Sequence, residues 1–189
     1  MIKYAIPKKV KKEKTHINYS NRGMVFEEAI NNTNEYYRNI DKALIHKKPT
    51  PIHIVKIDNS NNPARICDAY FEQPSTTDYN GIYKGHYIDF EAKETRNKTS
   101  FPLRNINEHQ VKHLLKVQEM GGISFVLMRF TLHDEIYLVD SSLVGKYYYS
   151  DKTKSIPYQV IKSKGHKVPY GYLAEIDYLK VVDQVYLNE

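Results

Sequence analysis

Two carboxylates and an ammonium stand close together in the stretch TTDYNGIYKGHYIDFEAKET: Asp78, Glu91 and Lys93. Such a set can hydrolyse a phosphodiester. Paired carboxylates hold a divalent cation that polarises the phosphate and activates a water, and an ammonium beside them stabilises charge building on the phosphorus or orients the water. Close carboxylates repel unless a cation or a proton sits between them. Hard oxygen donors with positions left for water and phosphate suit Mg²⁺ or Mn²⁺ rather than zinc. The same residues also suit a surface strand on which Glu91 and Lys93 form a weak ion pair, so the surrounding elements have to decide.

Those elements read as a hairpin, with Asn80-Gly81 and Lys84-Gly85 as successive turn signals. In HYIDFEAKE, Ile88, Phe90 and Ala92 fall on one strand face and Tyr87, Asp89, Glu91 and Lys93 on the other. On the preceding strand Thr76 and Asp78 share a face, with Thr77 opposite. An antiparallel return between them brings Asp78 back to Glu91.

Upstream, Phe26, Ile30, Thr33 and Tyr37 have helical spacing over 21–37, with Glu27 on a neighbouring polar face. Strand-like runs at 43–46 and 52–57 are separated by KKPTP, a rigid extended break. Residues 58–75 interrupt the strands as a loop or a projecting arm. Downstream, a helix over 107–120 opens with Asn107 and Gln110 spaced as a capping box and stops at Gly121-Gly122. Strands follow at 123–130 and 135–139, then helices at 141–148 and 157–163. The segment IDYLKVVDQVYL has strand or helix character that its pattern does not separate. This order describes an α/β sandwich around a mixed central sheet.

The chain has 189 residues, one domain's length, 21–189 behind a lysine-rich arm at 1–20 that reads as disordered. Roughly 70% of the unfolded surface can be buried at this size. A single cysteine, Cys67, excludes an internal disulfide and fits a reducing compartment. With no signal peptide and no membrane-length apolar run, the expectation is a soluble cytoplasmic protein. A net charge of +6 fits a polyanionic partner. His46, His53, His109 and His113 carry no CxxC or HExxH and do not read as a zinc site.

The run QPSTTDYNGIYKGHYIDFEAKETRNKTSFPL resembles the signature of the RecU-type Holliday-junction resolvases, a branch of the PD-(D/E)xK nucleases. NRGMVFEEAINNTNEYY, HKKPTPIHIV and EHQVKHLLKVQEMGGISFVL are similar to that family's first helix, its next strand, and the helix and strand closing the site. The resemblance implies a restriction-endonuclease-like fold with a mixed sheet flanked by helices, and a stalk at 58–75 that enters the junction. It implies a homodimeric, Mg²⁺-dependent, nucleoid-associated endonuclease that cuts four-way DNA junctions symmetrically and works beside a recombinase partner. It also implies roles for residues of this chain. Thr76, Asp78, Glu91 and Gln110 are metal ligands, Lys93 stabilises the transition state, and Glu27 is an acid reaching the site from the side. Lys56 and Arg65 contact phosphates from the stalk, and His86 stands where a more basic phosphate contact is expected. Two departures are visible: His86 itself, and Leu173-Ala174-Glu175 where the family is expected to carry Pro-Arg.

Overall fold

The computed structural model describes residues 22–60, 62–72 and 76–188, so the basic arm at 1–20 lies outside the described residues. Its centre is a six-stranded sheet in the order β1-β4-β5-β7-β8, with β9 at the far edge. These strands are β1 (Leu44–Lys47), β4 (Tyr79–Tyr83), β5 (His86–Thr95), β7 (Ile123–Phe130), β8 (Glu135–Asp140) and β9 (His166–Val168). β5 and β7 run parallel and the other pairs antiparallel, giving a mixed sheet. Helix α2 (Glu108–Glu119) makes the β5–β7 crossover that a parallel pair requires.

Both faces of the sheet are covered. On one, α1 (Arg22–Asn39) and the short α5 (Tyr178–Val182) pack Phe26, Ile30, Leu179 and Val182 against Ile88, Phe90 and Phe125. On the other, α2, α3 (Ser141–Tyr148) and α4 (Tyr158–Lys164) pack Leu114, Val144 and Ile161 against Val126, Met128 and Val139. Strand alternation thus sends Ile88, Phe90 and Ala92 to one core and turns Asp89, Glu91 and Lys93 toward the α2 layer. Beneath the hairpin, Tyr79, Phe90 and Phe125 form a stack with ring centroids 4.8 and 5.0 Å apart. Such pairs add about 0.5–1.5 kcal/mol each beyond burial, and they stiffen the three strands that carry the site.

The segment after β1 departs from the compact body. β2 (Ile52–Asp58) and β3 (Arg65–Phe71) pair only with each other, and every residue of β3 is exposed. The expected arm is therefore a two-stranded ribbon that already begins at Ile52, with RICDAYF as its second strand. A smaller ribbon joins β6 (Ser100–Pro102) to a three-residue strand at Ser155–Pro157.

Two turn expectations resolve differently. Lys84-Gly85 is a two-residue hairpin loop with φ of 47° and 80°, which only a glycine adopts without strain at the second position. Asn80-Gly81 is not a turn; it lies inside β4. Glycine is needed there because β1 passes so close that a Cβ would fall 2.0 Å from the Leu44 carbonyl oxygen. The ambiguous C-terminal segment is helical, and it docks on α1: Tyr37 donates to Asp177 at 2.7 Å, and Tyr178 to Asn34 at 2.5 Å. Among the described residues no helix is long and apolar enough to cross a membrane.

Candidate active site

The β4–β5 register pairs Tyr79 with Phe90, which brings Asp78 opposite Glu91. Asp78 does not belong to a strand, as its alternation had suggested; β4 begins at Tyr79, and Thr76–Asp78 form the bend before it. The reason is where the backbone groups go. The Asp78 amide donates to the Glu91 carboxylate at 3.1 Å, and the Asp78 carbonyl accepts from the Lys48 amide at 2.7 Å. The bend is thus tied to β5 by a side chain rather than by the ladder.

Glu91 is fully buried, with the Lys93 ammonium 2.5 Å from its Oε1; Lys93 also lies 3.8 Å from Asp78 Oδ2. The three residues therefore meet at one point. The Lys93 ammonium is thus the polar neighbour of Oε1. Two carboxylates brought this close repel unless a cation or a proton sits between them. Burial, and then the contact with Asp78, push the Glu91 carboxyl up to about 8, against the opposing pull of Lys93. Burial pulls the Lys93 ammonium down, but Glu91, Asp78 and Glu27 outweigh it and hold it above the usual lysine value. Lys93 is upheld by a charged Glu91, whereas burial favours a neutral one; burial dominates for the carboxylate, which is wholly enclosed.

Glu27 on α1 comes near enough to act on Lys93, and its carboxylate pairs closely with Lys47. It lines two clefts flanking the site. One, of about 350 Å³, includes Lys48, Thr76, Thr77 and Asp78; the other, of about 270 Å³, includes Ala92, Lys93 and Asn105. A cavity of about 650 Å³ lined by Asn97, Arg104 and Lys154 is larger but shares no residue with the site. Gln110 is buried at the start of α2, where its Oε1 accepts from the Asn107 amide at 2.9 Å, completing the expected capping box. Among the described residues no three His, Cys, Asp or Glu side chains converge as a metal cluster.

Of the expected DNA contacts, Lys56 and Arg65 are exposed on the β2–β3 ribbon, and His86 is exposed where β5 leaves the hairpin loop. His53 stacks on Tyr70 in the ribbon, while His113 on α2 approaches Asp89 at 3.0 Å. The departure at 173–175 places Glu175 against Asn32 of α1 at 2.9 Å, a docking contact. Sequence reasoning missed Asp89. It put this residue on the face of Glu91 but gave it no role, although an Asp alternating with Phe and Glu on a strand buried on both sides is itself a signal of a satisfied polar centre.

The Recombination protein U family matches residues 21–184. The chain belongs to that family. Among its members, the Holliday junction resolvase RecU of Geobacillus sp. (strain WCH70) is 51% identical over 175 residues, covering 90% of this chain and 87% of the relative. The RecU of Oceanobacillus iheyensis is 52% identical over 172 residues, covering 89% and 88%. A solved Holliday junction resolvase, Hjc of Archaeoglobus fulgidus, superposes with a TM-score of 0.45 at 10% identity, over 76% of this chain and 94% of that one; so slight a likeness supports no argument beyond the RecU relationship.

Proposed function

We propose that this RecU family member is a divalent-metal-dependent endodeoxyribonuclease that resolves Holliday junctions, two copies making paired nicks in strands of like polarity. The observation that carries the reading is the meeting of Asp78, Glu91 and Lys93 at the open end of the β4–β5 hairpin. Relatives at 51–52% identity over most of the chain bear the name Holliday junction resolvase.

Asp78 and Glu91 would hold Mg²⁺, or Mn²⁺ in its place, with the Thr76 hydroxyl and the Gln110 amide completing the oxygen set. When bound, the cation supplies Lewis-acid polarisation of the phosphate and a more acidic water. The protein's own residues do the rest. Buried Glu91, whose carboxyl burial pushes up, would shed its proton on taking up the cation. Lys93, held protonated by its carboxylate neighbours, places a positive charge where the phosphorane gathers negative charge. Glu27 adds a further negative charge near Lys93 from α1. The exposed β2–β3 ribbon, bearing Lys56 and Arg65, would enter the junction, with His86 and the basic surface contacting the arms.

The test is nicking of a mobile four-way junction, with a linear duplex of the same sequence alongside, in Mg²⁺ and in EDTA. Symmetric nicks on the junction, dependent on the metal and lost with Glu91→Gln, are the expected result. Equal cutting of the linear duplex would replace junction resolution by duplex restriction. Tight junction binding without nicks in either metal would leave only a binding protein.

A further inference from the structure

Asp89 is a fully buried carboxylate that the proposed chemistry does not use. Four side chains converge on it. Lys48, Tyr87 and His113 reach Oδ2 at 2.9, 2.8 and 3.0 Å, and Thr77 donates to Oδ1. The Lys48 ammonium also donates to the Thr77 hydroxyl at 2.9 Å, so that hydroxyl accepts from the lysine while donating to the aspartate. The four donors come from four separate segments: the link after β1, the bend before β4, β5 itself and α2. A charge removed from water is tolerated only with partners of this kind, and such a satisfied network fixes the segments it joins.

Thr77 is the residue between Thr76 and Asp78. It is buried and its two neighbours are half-buried, at the edge of the cleft of about 350 Å³ that all three line. Two other ties act on the backbone of the bend, and both fall at Asp78: the Lys48 amide on its carbonyl and its own amide on Glu91. Nothing in those ties holds Thr76. Among the described residues the anchor on the Thr76 side is Thr77, held by Asp89 and Lys48, and it sets which way the bend presents both of its outward side chains.

We propose that Asp89, acting through Thr77 and Lys48, is a positioning residue that locks the 76–78 bend into the orientation in which Thr76 and Asp78 meet a divalent cation held with Glu91. It touches neither cation nor DNA. The inference rests on the reading of this site as a metal centre, but not on which DNA is cut. Partners of metal-holding side chains commonly account for about ten- to a hundredfold in metal affinity, and that is the scale expected.

Asp89→Asn leaves the Lys48 ammonium facing a neutral group in a buried site and risks unfolding, so Thr77 carries the test. Thr77→Val keeps the shape and removes the hydroxyl; Thr77→Ser keeps the hydroxyl. Mn²⁺ affinity is measured on each purified full-length protein without DNA, and junction cleavage is followed against Mg²⁺ concentration. The expected result is Mn²⁺ binding weakened about tenfold or more in Thr77→Val and restored to within about threefold of wild type in Thr77→Ser. The half-saturating Mg²⁺ concentration shifts in parallel, the cleavage rate at saturating Mg²⁺ changes much less, and junction binding in EDTA stays unchanged. A folded Thr77→Val protein with wild-type Mn²⁺ affinity overturns the proposal, as does a Thr77→Ser protein as weak as Thr77→Val. Wild-type protein that binds Mn²⁺ with the expected Thr77 pattern, yet cuts no junction, would sink the resolvase reading and leave the positioning role standing. Wild type that binds no Mn²⁺ would overturn both.

Discussion

Replacing Glu91 by glutamine should make the metal-free protein more stable while abolishing its chemistry. The carboxyl is pushed up to about 8 chiefly by burial, against an ordinary value of about 4.3 in the unfolded chain. Between those two values the folded state binds more protons than the unfolded state, so stability falls as pH rises, by at most roughly 1.4 kcal/mol per pH unit for one group. From pH 5.5 to 8 that amounts to about 3 kcal/mol at most. The opposing pull of Lys93 is already contained in that value, so the net gain of Glu91→Gln over wild type is near zero at pH 5.5 and at most about 3 kcal/mol at pH 8. For a chain of this length that is a rise in Tm of at most about 6–12 °C. Thermal unfolding in EDTA at pH 5.5, 6.5, 7.5 and 8.5 reads it directly. Adding Mg²⁺ at pH 8 should then raise the Tm of wild type and leave the variant unmoved. A variant less stable than wild type at pH 8, or a difference that does not grow with pH, would show that Glu91 is not strained by burial, and the case for an electrostatically prepared cation site would go with it.

Lys93→Ala should lower metal-saturated junction cleavage by about 10²–10³-fold with junction binding in EDTA retained; a loss under tenfold would remove the ammonium from the chemistry. Gly81→Ala should destabilise by about 3 kcal/mol or more, because the new methyl meets the Leu44 carbonyl of the neighbouring strand at 2.0 Å; urea unfolding measures this, and a change under about 1 kcal/mol would mean that β1 shifts freely. Glu135 accepts from Lys167, Tyr158 and Tyr137, which together hold its carboxyl down at about 2. A depressed carboxyl contributes stability above its unfolded value and loses it as pH falls, so Glu135→Gln should flatten the decline of Tm between pH 4.5 and 2; an unchanged acid limb would refute the assignment.

The hairpin, the α2 helix and the β7–β8 pair were legible in the sequence because each follows from a short-range rule. Alternation of apolar residues sorted Ile88, Phe90 and Ala92 from Asp89, Glu91 and Lys93, and that sorting holds, although α2 covers the second face as well. Gly81 was misread for a physical reason: a glycine that admits a neighbouring backbone and a glycine that makes a turn carry the same letter, and only the pairing of β1 with β4 separates them. The bend at Thr76–Asp78 was likewise hidden, since its ties run to Lys48, Asp89 and Glu91, all distant in sequence. The partner of RICDAYF was out of reach too, because an exposed ribbon alternates against solvent on both faces and leaves no apolar periodicity to read. The convergence of Asp78, Glu91 and Lys93 needed only a register, and strand length together with the turn at Lys84-Gly85 supplied it.

The docking of the C-terminal helix on α1 has a consequence for how the chain is made. The bonds between Thr33, Asn34 or Tyr37 and residues 176–178 join points 140–144 positions apart. The core beneath β4 and β5 shares these residues, with Tyr178 against both Phe90 and Tyr37. During synthesis, which proceeds at about 5–20 residues per second, the hairpin bearing Glu91 leaves the ribosome several seconds before the helix that closes the layer behind it. The nascent chain therefore carries Asp78, Glu91 and Lys93 on a sheet whose α1-side layer is completed only when residues 176–182 emerge.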